Sequence, residues 1–113
     1  MSLLIKNGTI LTAASEFTGD IYIEGETIRQ IGTNLSVNAS QTIDASGKYV
    51  MPGGVDEHVH YGSFGGRLFE TAEAAAAGGT TTIVDFAPQE KGVPLLDAIR
   101  RQAAKAEHTS SVD

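Results

Sequence analysis

The sequence predicts a mixed α/β chain in two parts, strand-only up to about residue 51 and alternating strand and helix beyond it. Three observations carry this reading. Short β-type runs precede Met51-Pro52-Gly53-Gly54, an alanine-rich stretch and a longer amphipathic stretch follow it, and the β-branched run Thr80 to Phe86 lies between those two. Strand, helix, strand, helix implies a parallel sheet with right-handed crossovers.

In chain order, Leu3 to Lys6, Asn7-Gly8 and Thr9 to Thr12 read as a hairpin, because Asn-Gly supplies the positive φ angles of a tight type I′ turn. A second hairpin is expected from Asp20–Glu24 through Gly25-Glu26 to Thr27–Ile31, with Ile21 and Ile23 alternating with polar residues. The polar stretch Gly32 to Ser40 reads as a loop. Gln41 to Asp44 and Lys48 to Met51 read as two short strands around Ala45-Ser46-Gly47. Val55 to His60 is the next strand. Leu68 to Ala77 reads as a helix stopped by Gly78-Gly79. Thr80 to Phe86 reads as a strand buried on both faces. Val93 to Glu107 is a second helix, with Pro94 in its first turn, an apolar stripe of Leu96, Ile99, Ala103 and Ala106, and an Asp97–Arg101 pair across one turn.

Composition narrows the function classes. With 41% hydrophobic and 19% charged residues among 113, the chain can build a core, so disorder is not expected. A formal net charge of −6 gives no electrostatic case for nucleic acid or anionic lipid. No apolar run approaches a membrane span, and Met1 to Lys6 lacks the pattern of a secretory signal. The absence of cysteine removes disulfides and thiolate metal sites, and makes a reducing cytoplasm the expected compartment.

The sharpest chemical feature is His58-Val59-His60 at the end of a predicted strand. On a strand, residues i and i+2 face the same side, so two imidazoles can converge on one ion. Such pairs also occur by chance and bind nothing. Here the pair follows a Pro-Gly-Gly turn and precedes Gly62 and Gly65-Gly66, which favours a site. Asp56, two residues earlier, is placed on the face of His58, either orienting a ring or bonded to backbone. Asp85 ends the second parallel strand and reads as structural. Glu57 is expected to face away. His108, Glu70 and Glu73 read as solvated.

Met51-Pro-Gly-Gly-Val-Asp-Glu-His-Val-His60 resembles the entry strand of the amidohydrolase superfamily. Phe69 to Phe86 and Ala87-Pro-Gln-Glu-Lys-Gly92 resemble dihydropyrimidinases and hydantoinases in particular. Leu4 to Leu11 and Ile43 to Lys48 resemble that family's N-terminal strands. The resemblance implies a β-sandwich portion over residues 1–51 and, over 52–113, the first two β/α units of a metal-dependent (β/α)8 barrel, in a chain covering roughly a quarter of the family's length. It further implies that His58 and His60 bind zinc, with two ions in the complete enzyme. Water activated there would open the ring of a cyclic amide, a dihydropyrimidine or hydantoin, to an N-carbamoyl amino acid. The remaining ligands and the general base are expected beyond residue 113, so the chain alone is expected to be inactive. A homotetramer or homodimer is implied for the complete enzyme.

Related subfamilies differ at readable positions. Gly62 stands where dihydroorotases carry a substrate-binding arginine, and Asp85-Phe86-Ala87-Pro88 differs from the methionine-proline pair of allantoinases. The histidine pair is absent from the non-enzymatic collapsin-response-mediator relatives. Glu57 and Val59 depart from the family's usual choices. The segment from Tyr61 to Leu68, with gate candidates Tyr61, Ser63 and Phe64, looks shorter than its counterpart, which bears on substrate size and stereochemistry.

Overall fold

The computed structural model describes residues 1–62, 72–107 and 109–113, in two compact units, Met1–Pro52 and Gly53–Asp113. In the first unit a ten-residue strand, β1 (Ser2–Leu11), is the centre of a five-stranded sheet. It pairs antiparallel with β2 (Glu16–Glu24), which pairs antiparallel with β3 (Thr27–Gly32). Along its other edge β1 takes β4 (Gln41–Asp44) and then β5 (Tyr49–Val50), both parallel. The step between them is the turn Ala45 to Lys48, in which Lys48 N–H donates to Ala45 O at 2.9 Å and Gly47 takes φ 72°. Leu4, Ile10, Ile21, Leu35 and Ala45 are the buried apolar residues of this unit.

The hairpin expected at Asn7-Gly8 is not formed. Asn7 does take a positive φ of 61°, but as a bulge inside one strand. Lys6 and Asn7 both lie between the pairs Ile5–Ile21 and Gly8–Gly19, opposite the single residue Asp20. The bulge is held by that aspartate. Its Oδ1 accepts the Asn7 N–H and its Oδ2 the Leu35 N–H, both at 2.8 Å, and Lys6 Nζ lies 3.7 Å from Oδ2. Asp20 is only 2% exposed. The Asn7 N–H does most to hold its carboxyl below the ordinary carboxylate range. Burial opposes this, and the Leu35 N–H and Lys6 add to it. Gly8 serves close packing, since a Cβ there would lie 2.5 Å from Val50 Cγ2. The real turn between β1 and β2 is Thr12 to Ser15, where Thr12 N–H donates to Ser15 O at 2.9 Å. The second hairpin forms as expected, with Gly25 at φ 60°.

The second unit pairs β6 (Gly54–Val59) in parallel with β7 (Thr80–Asp85). Before β7 lies α1 (Ala72–Ala77), whose Ala72 is fully buried; the expected start of this helix and Glu70 lie outside the described residues. Gly78 and Gly79 stop α1, with N–H groups donating to Ala75 O and Ala76 O at 3.0 Å, and Gly79 takes φ 93°. After β7 comes α2 (Leu95–Ala106), with Pro94 at its N-cap. Asp113 then lies along β7, donating to Thr81 O at 3.0 Å and accepting from Ile83 N–H at 2.7 Å.

Two expectations are corrected in this unit. β7 is not buried on both faces: Val84 is 52% exposed, and Val55, on the same face of the pair, 64%. β-branched composition encodes a covered strand, but the cover on that face is not among the described residues. On α2, Asp97 pairs with Arg100 at 3.6 Å rather than with Arg101, because residues three and four apart both adjoin on a helix. The apolar stripe of α2 is likewise only partly covered, with Leu96 and Ile99 exposed; its buried residues are Ala98 and Gln102. Among the described residues no helix is long and apolar enough to cross a membrane.

Candidate metal centre

The two histidines come together where β6 ends. The Nε2 atoms of His58 and His60 are 3.3 Å apart, and the ring centroids 5.2 Å. Two nitrogens bound to one tetrahedral ion at about 2.0–2.1 Å would be separated by about 3.3–3.4 Å. The pair therefore fits a shared cation. Without one, the same distance suits a single proton held between the rings. Both residues are exposed, so a cation can reach them from solvent. A closed zinc site needs four ligands and a catalytic one three; among the described residues no group of three metal-ligating side chains is assembled.

Phe86, just past the end of β7, braces the pair. Its ring stacks on His60 at 4.8 Å and 11°, and lies 5.0 Å from His58. Such contacts limit ring rotation. Asp56 accepts the backbone N–H of His58 at 3.2 Å. β6 carries one extra residue between the pairs Asp56–Ile83 and Val59–Asp85, so strict alternation does not run from Asp56 to His58. Asp85 is tied into the structure. Its Oδ1 accepts the Tyr61 N–H at 3.1 Å, and its Oδ2 the Gln102 side-chain amide at 2.5 Å. Of the gate candidates, Tyr61 is half-buried, with its backbone held in this way; Ser63 and Phe64 lie outside the described residues, as does His108.

Sequence reasoning missed Phe86 and Gln102. A signal existed for each. Phe86 follows the carboxylate that ends a parallel strand, where sites assemble in such sheets. Gln102 interrupts a helical apolar line running through Leu95, Ile99 and Ala106, and a polar residue there needs a partner.

The histidine pair thus lies at the carboxyl end of a parallel strand, the end at which active sites assemble in (β/α) barrels. No family model matches the chain. Over its whole length, however, it is 45% identical to the D-hydantoinase of Geobacillus stearothermophilus, of which it spans 25%. The crystal structure of dihydropyrimidinase from Brevibacillus agri superposes with a TM-score of 0.91 at 40% identity, covering all of this chain and 26% of that one. The L-hydantoinase (dihydropyrimidinase) from Arthrobacter aurescens superposes at 0.82 and 35% identity, covering 98% and 26%. The chain is thus a homologue of the dihydropyrimidinases and hydantoinases, and it spans about a quarter of the length of the curated relatives it matches. The alignment to the Geobacillus protein runs over 119 residues, more than the 113 present here, so the relative carries residues that this chain lacks.

Proposed function

We propose that the chain forms part of a zinc-dependent cyclic amidohydrolase that opens dihydropyrimidines or hydantoins to N-carbamoyl amino acids. The observation that carries this reading is the convergence of His58 and His60 Nε2 to 3.3 Å at the carboxyl end of a parallel strand, in a chain homologous to hydantoinases. In this reading β6, α1, β7 and α2 are the first two units of a (β/α)8 barrel, the preceding strands belong to a β-sandwich, and Asp113 on the free edge of β7 marks the line of a third barrel strand.

His58 and His60 would hold one ion of a two-zinc centre through Nε2. Bound zinc lowers the pKa of water and polarises the amide carbonyl. This chain's own residues do the positioning: Phe86 limits the rotation of both rings, and Asp56 and Asp85 fix the backbone on either side of the pair. The further ligands and the general base would come from outside the described residues, and two histidines alone do not turn over substrate. The active protein is a cytoplasmic homotetramer or homodimer that needs neither nucleic acid nor membrane.

A chimera tests this directly. Residues 1–113 replace the matching quarter of the Geobacillus D-hydantoinase, and ring opening of dihydrouracil and hydantoin is followed by ultraviolet absorbance. Activity that disappears in His58→Ala and His60→Ala supports the reading. A folded, zinc-loaded chimera that is as inactive as those variants refutes it.

A further inference from the structure

We propose that Gln102 on α2 is a positioning residue for the histidine pair, setting its affinity for a divalent cation by clamping the backbone that follows His60. The inference rests on the metal reading of His58 and His60 given above.

Gln102 is 7% exposed and lies among apolar helix positions, yet every polar end of its side chain is used. Its Nε2 donates to Tyr61 O at 2.7 Å and to Asp85 Oδ2 at 2.5 Å. Its Oε1 accepts from Lys105 Nζ at 3.3 Å. The amide can be oriented in one way only. Two acceptors face one end and an ammonium faces the other, so a flipped amide would set oxygen against oxygen and nitrogen against a cation. Asp85 closes the loop by accepting the Tyr61 N–H at 3.1 Å. Both backbone polar groups of Tyr61, one residue beyond His60, are therefore fixed by two side chains from β7 and α2.

This clamp matters for the pair because His60 lies between the last residue of β6, Val59, and the clamped Tyr61. Convergence of two nitrogens at 3.3 Å requires the His60 backbone to stay at one distance from His58. Asp85 anchors that backbone to β7, and Gln102 locks Asp85 and Tyr61 to each other. Partners that orient ligands in this indirect way typically change metal affinity by about 10- to 100-fold.

The test is zinc titration of the chain, following the His58 and His60 ring signals and the Tyr61 amide by NMR. The variants are Gln102→Met, which keeps the volume but removes both donors, and Ile99→Ala, which trims the same helix without touching the clamp. Zinc should bind the parent at the two rings and be lost in His58→Ala. Gln102→Met should weaken binding by about tenfold or more and speed hydrogen exchange at the Tyr61 amide, while Ile99→Ala leaves both unchanged. Equal affinity in Gln102→Met and the parent overturns the positioning role alone. Equal weakening in Ile99→Ala also overturns it, by showing a general loss of packing. A parent whose rings do not respond to zinc overturns the metal reading itself.

Discussion

Gly53→Ala should destabilise the second unit far more than Gly54→Ala, although the two glycines are adjacent and both exposed. A Cβ on Gly53 would lie 2.1 Å from Thr81 Oγ1, 2.2 Å from Cγ2 and 2.7 Å from Cβ. Optimal contacts fall at about 3.5–4.0 Å. Rotating the Thr81 side chain relieves the first two clashes but not the third, because Cβ does not move with χ1. The backbones must separate by most of an ångström. They are held there by Gly54 N–H to Gly79 O at 2.8 Å. Overpacking costs about 1–3 kcal/mol, and the weakened hydrogen bond adds about 0.5–1.5 kcal/mol. A loss of about 2–4 kcal/mol corresponds to a fall in Tm of at least about 8 °C for a unit of this size. A Cβ on Gly54 meets nothing closer than 3.6 Å. Gly54→Ala, by restricting the unfolded chain, should leave stability unchanged or raise it by about 0.4–1 kcal/mol. Thermal melts by circular dichroism read both variants, and adding Thr81→Gly to Gly53→Ala should restore most of the loss. Melting temperatures for the two alanine variants within about 1 °C of each other would refute the close-approach argument.

Other expectations concern the first unit and the site. The carboxyl of Asp20 is held low in the folded state, so its contribution is fully present above its ordinary value of about 4 and is lost as pH falls through the depressed folded value. Asp20→Asn should lower Tm at neutral pH and flatten the acid limb of a pH–Tm curve; parallel curves for variant and parent would refute it. At the bulge, Asn7→Gly should be tolerated whereas Asn7→Ala loses about 1–2 kcal/mol from the left-handed conformation, read by urea denaturation; equal midpoints would show that φ 61° is not required there. Phe86→Ala should weaken zinc binding at His58 and His60 while leaving their backbone amide shifts in place, because it removes the stacked ring and not the ladder. Unchanged affinity would deny Phe86 its bracing role.

The second hairpin, the parallel pair, the end of the first helix and the second helix were legible because each rests on periodicity, strand–helix alternation or a glycine stop. Asn7-Gly8 was misread because the local signal for a positive φ does not say whether the chain turns or bulges. That choice was made by Asp20, thirteen residues away. The approach of His58 and His60 was suggested by their spacing together with the Pro-Gly-Gly turn before them and the glycines after them. The braces of the pair were not, because Phe86 and Gln102 reach it through the sheet register and a helix docked some forty residues later. Exposure of Val55 and Val84 was hidden for the opposite reason: composition records the surroundings a strand was selected in, and not only those among the described residues.

The bulge at Asn7 has a consequence for how the first sheet finds its pairing. A ten-residue strand with apolar residues on both sides offers several alignments of nearly equal energy, and a slip of one residue turns every side chain over. Asp20 can receive the Asn7 and Leu35 N–H groups in only one of those alignments. The aspartate thus works as a position marker. Once β1 and β2 are indexed by it, the opposite edge of β1 is indexed as well, and β4 and β5 can add in a single frame. Chain length should accordingly be free to change in the turn from Thr12 to Ser15. Removing one residue between Ile5 and Gly8 would misalign four strands at once.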